Sequence, residues 1–108
     1  MIDFPEAMLI VHGEVAPTWG IGSFYVDPTG LEDARSYAVF FGPREWIVDQ
    51  DPMFLPLGTP VAFVDKETGE VALEAHMLVF DRLDAMTKVS LTKAEITQYT
   101  NDVERRAE

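Results

Sequence analysis

The sequence predicts an α+β domain in which an antiparallel sheet of about four strands carries helices packed on one face. Three observations predict it. A hairpin signature spans Pro60–Ala75, aromatic and β-branched runs fill the middle of the chain, and capping signals open stretches of helical periodicity near both ends.

The first stretch carries a helix signature. Asp3 is placed to cap it, Glu6 follows three residues later as in a capping box, and Pro5 suits a first turn. Phe4, Ala7, Met8 and Val11 fall on one helical face, and Gly13 is placed to end it. The unbroken apolar run Leu9-Ile10-Val11 also fits a strand, so residues 7–12 carry both signals.

Val15 to Gly22 contains Pro17, Trp19, Gly20 and Gly22 and reads as loop. Ser23–Asp27 reads as a strand ended by a turn at Asp27-Pro28-Thr29-Gly30. Ser36–Phe41 and Glu45–Asp49 are rich in aromatic and β-branched residues and are separated by Gly42-Pro43-Arg44. A hairpin fits both runs, as does one long strand bent at the glycine. Asp51 to Pro60 is a second loop, with Met53, Phe54, Leu55 and Leu57 expected to lie as lids over the core.

Pro60–Asp65 and Glu70–Ala75 then read as paired strands. Lys66-Glu67-Thr68-Gly69 joins them as a type I turn closed by a glycine in the left-handed region. His76 to Val89 is open: Val79, Leu83 and Met86 have helical spacing, whereas His76–Phe80 would extend the preceding strand. In the last segment Thr92 caps, Glu95 stands three residues on, and Leu91 faces Ile96 as a hydrophobic staple. Ile96, Tyr99 and Val103 continue as one apolar stripe on a helix expected to fray over Glu104–Glu108.

At 108 residues the chain is expected to be one domain, 1–108, with enough length for one core. It has no cysteine, which removes disulfides and thiolate chemistry and suits a reducing, cytoplasmic setting. No apolar run is long enough to span a membrane, and the short run at Ala7–Val11 lacks the basic leader of a signal peptide. Nineteen acids against eight bases give a net charge of −11, the wrong sign for phosphate contacts, so no nucleic-acid partner is expected. Such a surplus serves solubility, and it also steers a protein toward a basic partner.

The sequence offers no catalytic constellation. His12 and His76 stand alone, no serine sits in a nucleophile elbow, and Gly20-Ile21-Gly22 is only a fragment of a phosphate loop. Asp49-Gln50-Asp51 runs into Pro52-Met53-Phe54, which breaks any calcium loop. Asp81 with Asp84, and Glu104 with Glu108, share helical spacing, as pairs do in any chain so rich in acids. No enzyme activity, metal or cofactor is expected. Asp27 to Asp84 holds twelve acids and four bases, many at turns, so part of this set is expected to form one negative patch. Trp19, in a glycine-flanked loop, either anchors an interface or folds back over the core.

One stretch carries a resemblance. Gly58, Pro60, Val64, Asp65, Lys66, Thr68, Gly69 and Val71, preceded by the aromatic run Tyr37–Phe41, resemble the YrhB-like group of small bacterial immunity proteins of polymorphic toxin systems. The resemblance covers about a third of the chain. It implies an inhibitor that binds a cognate toxin, often a basic nuclease, and blocks its active site. The residues expected to meet that toxin are Glu32, Asp33, Asp49 and Asp51, with Trp19 or Phe54 as a buried anchor, in a monomer or homodimer. Two other classes compete: a small-ligand or phage-type accessory module using a pocket between sheet and helices, and an enzyme using a carboxylate pair or His76.

Overall fold

The computed structural model describes residues 1–56 and 58–107. Its first element is a helix, α1 (Phe4–Val15), whose start is built as expected: Asp3 accepts a hydrogen bond from the Glu6 N–H at 3.0 Å. Phe4, Ala7, Met8 and Val11 are buried, which settles residues 7–12 as helix. The helix does not stop at Gly13. One further turn buries Val15, a gain that offsets the roughly 1 kcal/mol that glycine costs inside a helix.

Among the described residues seven strands follow, in two antiparallel sheets. The smaller pairs β1 (Phe24–Val26) with β4 (Phe41–Pro43). The larger sheet holds β2 (Thr29–Glu32), β3 (Ser36–Val39), β5 (Val61–Asp65), β6 (Val71–Glu74) and β7 (Thr87–Ser90), in the order β6-β5-β3-β2-β7. The class is therefore α+β as expected, with five strands in the main sheet rather than about four.

Four expectations are corrected. Thr29 and Gly30, read as turn, open β2, because Gly30 lies where a side chain would strike Phe4 and the Ala38 carbonyl. Glu45–Asp49, read as strand, overlaps the short helix α2 (Arg44–Ile47), which lays Ile47 over Gly42 behind β4. The long strand also breaks at Phe40, whose carbonyl accepts from the Asp27 N–H, so the bend precedes the glycine. Residues 76–89 are neither one helix nor a strand extension: a 3-10 turn (His76–Leu78) leads into α3 (Phe80–Asp84) and then β7.

The 61–74 hairpin forms as expected. Gly69 sits at φ 75° and its N–H donates to the Asp65 carbonyl, while the Asp65 carboxylate accepts from Glu67 and Thr68. The final helix, α4 (Lys93–Ala107), opens on the expected capping box: Thr92 N–H to Glu95 Oε1 at 2.9 Å and Glu95 N–H to Thr92 Oγ1 at 3.2 Å. It stays helical to Ala107 rather than fraying from Glu104. Leu57 and Glu108 lie outside the described residues.

Both faces of the main sheet are covered, which corrects the expectation of helices on one face. Tyr37, Val39, Ala62 and Val64 join Met8 and Val11 in the core beneath α1, with Tyr99 of α4 packed against it. Ala38, Val61 and Phe63 point the other way and meet Leu83 of α3. Among the described residues no helix is long and apolar enough to cross a membrane.

Candidate functional site

Residues 19–23, α2 and residues 48–55 form one knot of chain beyond the β1–β4 pair. It is tied by backbone and carboxylate. The Ser23 N–H donates to both Glu45 oxygens, at 2.8 and 3.1 Å, and the Arg44 N–H donates to the Ser23 carbonyl. The Ser23 N–H, seconded by the N–H of Glu45 itself, holds the Glu45 carboxyl below its ordinary range. Gly22, at φ 63°, passes so close that a Cβ would lie 2.8 Å from Glu45 and 2.9 Å from the Phe54 ring. Only glycine fits there.

The second half of the knot turns sharply. The Gln50 N–H returns to the Trp46 carbonyl with Gln50 in the left-handed region at φ 55°. The Asp51 N–H reaches the Glu45 carbonyl, and the Asp51 carboxylate caps the turn at Pro52–Phe54 by accepting from Met53 at 3.0 Å. These bonds fix the backbone and leave apolar side chains in solvent: Met53 is 89% exposed, Leu55 51% and Val48 45%, with Ile21 at 52% on the facing loop. Met53 and Leu55 are therefore not lids over the core, as they were expected to be. Pro52 and Pro56 bracket this segment, and so short an apolar run within a loop has no periodicity that tells an exposed face from a buried one.

The six residues expected to meet a partner are divided by the fold. Trp19, Asp49, Asp51 and Phe54 belong to this knot, and Asp49 is exposed with no ion pair among the described residues. Trp19 folds back: its ring stands edge-on to Phe24 and Phe41, and its Nε1–H donates to the Ile21 carbonyl at 2.6 Å. Phe54 is half-buried against Gly22. Glu32 and Asp33 lie at the other end of β3, beside the 65–69 turn. One patch does not hold all four acids.

Glu32 and Asp33 have structural work at that end. Glu32 pairs with Lys66 at 2.9 Å, and the same ammonium lies 4.6 Å from the Tyr37 ring centroid, so a lysine is buried with two partners. Asp33 accepts from the backbone N–H groups of Arg35 and Ser36, the Arg35 bond chiefly drawing its carboxyl below the ordinary range.

The histidines sit against aromatic rings. His12 meets Phe24 edge-on, and burial, seconded by the Arg106 charge, lowers its pKa. His76 lies between Phe40 and Phe80. Among the described residues no group of three or more acids and histidines is arranged to hold a metal ion. A cleft of about 430 Å³ separates α1, β1 and α4, lined by His12, Phe24, Tyr25, Arg44, Tyr99 and Val103 among others. The Tyr99 hydroxyl is sealed from solvent with no hydrogen-bond partner among the described residues, and desolvation, seconded by Tyr25, pushes its pKa upward.

In comparisons with known proteins, no protein-family model, no curated protein and no solved structure matches the chain.

Proposed function

We propose that the chain is an immunity-type inhibitor, a non-catalytic cytoplasmic protein that neutralises a basic toxin of nuclease type by occupying its cationic cleft. The observation that carries this reading is the exposure of Val48, Met53 and Leu55 beside Asp49 and Asp51. An apolar centre with an acidic rim is the pattern of a surface made to bury itself against protein, and the rim charge specifies a basic partner. The net charge of −11 acts in the same direction by accelerating encounter with such a partner. The resemblance around Gly58–Val71 supports an immunity role, and in this reading that hairpin is scaffold while the 44–55 knot is the contact.

The test is co-expression with the protein encoded beside it. Wild type is expected to protect the host and to co-purify with that protein. A Met53→Ser/Asp49→Lys variant, changed at two exposed positions, is expected to fold normally and to lose both properties. Protection by the variant equal to that by wild type contradicts the reading.

The second reading, a small-ligand module, has one observation in its favour: the aromatic-lined cleft between α1, β1 and α4. A small ligand bound there is expected to shift the His12 and Tyr25 resonances and to bind a Met53→Ser variant as tightly as wild type, whereas a partner at the knot loses affinity for that variant.

A further inference from the structure

The two edges of the main sheet are built differently. β7 closes one edge and carries Lys88 within the strand, a charge of the kind that blunts an open edge. β6 closes the other. Its residues Val71–Glu74 pair with β5 in unbroken register with no proline or bulge, the charge within the strand is the acid Glu74, and among the described residues no strand pairs with its outer side.

Hydrogen-bond alternation says which groups are free. The Asp65 N–H donates to the Glu70 carbonyl, so the next bonded pairs along the ladder are Phe63 with Ala72 and Val61 with Glu74. The N–H and C=O of Val71 and Leu73 therefore face outward. Side chains alternate as well: Glu70, Ala72 and Glu74 share one face of the strand, and Val71 and Leu73 the other. Leu73 is 52% exposed, and just beyond the strand Met77 and Leu78 are 80% and 83% exposed. From Glu67 to Asp81 the chain has four acids and no lysine or arginine, and Arg82, which shares a pocket with Glu70 and Ala72, is held over the Phe63 ring at 3.8 Å. Lys66, the base that precedes this stretch, is committed to Glu32 and the Tyr37 ring.

We infer that the β6 edge accepts an extended protein segment of alternating basic and apolar residues as a sixth strand of the sheet. Its backbone bonds to Val71 and Leu73, its basic side chains lie along the Glu70–Glu74 face, and its apolar side chains cover Leu73 on the other. A second copy of β6 is the poorer occupant, because pairing like faces brings the Glu70 and Glu74 rows of two highly acidic chains together. The inference does not depend on the toxin reading, because it concerns a different surface and is tested with a peptide.

The experiment titrates the isotope-labelled full chain with a blocked peptide of alternating lysine and valine. Saturable shifts at residues 70–75, with new protection of the Val71 and Leu73 amides from hydrogen exchange, are expected. A Glu70→Gln/Glu74→Gln variant is expected to bind about tenfold more weakly. A peptide N-methylated at the residues that bond to β6 is expected not to bind. Equal binding of the N-methylated peptide, or of a glutamate–valine peptide, overturns the inference, as does an absence of shifts at β6. Self-association of the chain through Val71 and Leu73 without peptide overturns it in favour of a second copy.

Discussion

Both carboxylate oxygens of Glu45 accept the backbone N–H of Ser23, and this contact joins two parts of the chain 22 residues apart. It sets the loop that carries Trp19 and Ile21 against the segment that carries Phe54. Glu45→Gln weakens the acceptor, and Glu45→Ala removes it. In a Trp46→Phe background, where Trp19 is the sole fluorophore of its type, both variants are expected to shift emission to the red, alanine more than glutamine. Unchanged emission in the alanine variant contradicts the assignment of Glu45 as the tie.

The pH dependence of stability has two windows. The His12 pKa is depressed in the fold, so below its ordinary value of 6.5 the unfolded chain takes the proton first, and stability present above that value falls. Asp33, Glu45 and Asp65 are likewise depressed, mainly by backbone N–H groups, and their contribution is present above their ordinary values of 3.8 to 4.5 and lost as pH falls through the folded ones. Urea midpoints measured from neutral pH downward are expected to decline in two steps. His12→Phe is expected to flatten the upper step alone.

Tyr99 predicts a stabilising substitution. Its hydroxyl is buried with no partner among the described residues, a condition that costs about 1–3 kcal/mol, so Tyr99→Phe is expected to raise stability by about 1 kcal/mol in urea denaturation. A loss of stability requires that the hydroxyl is satisfied in solution.

Two glycines predict opposite outcomes from one change. A Cβ on Gly30 lies 2.5 Å from the Ala38 carbonyl oxygen and 2.8 Å from the Phe4 ring, so Gly30→Ala is expected to cost about 1–3 kcal/mol. Gly13 lies inside α1 with nothing within 4 Å, so Gly13→Ala is expected to gain about 1 kcal/mol. Thermal denaturation of the pair checks both signs.

The elements legible in the sequence are those specified by local chemistry. Asp3, Thr92 with Glu95, and Gly69 each mark a backbone position by a bond that spans only a few residues. The misread elements are set by distant partners. Trp46-Ile47-Val48 is strand-like in composition, but its first two residues close α2, where Ile47 finds its packing on Gly42, and packing of that kind overrides β propensity. β2 is hidden inside a turn signature because its glycine is required by Phe4 and Ala38. β7 is an edge strand with three of four residues exposed, and it leaves no periodic signal. The site divides the same way. Asp49, Asp51 and Phe54 are adjacent in sequence and remain together. Glu32 and Asp33 are separated from them by the direction of β3, which no local pattern encodes.

Binding of a basic protein by the acidic, apolar-centred surface is the core of the proposed function. Its most direct measurement is the association rate of the chain with the protein encoded beside it, at low and high salt, for wild type and Asp49→Lys. Fast association that slows steeply with salt, a lower rate for the variant at low salt, and convergence of the two at high salt are expected. Rates that ignore both salt and the Asp49 substitution contradict it.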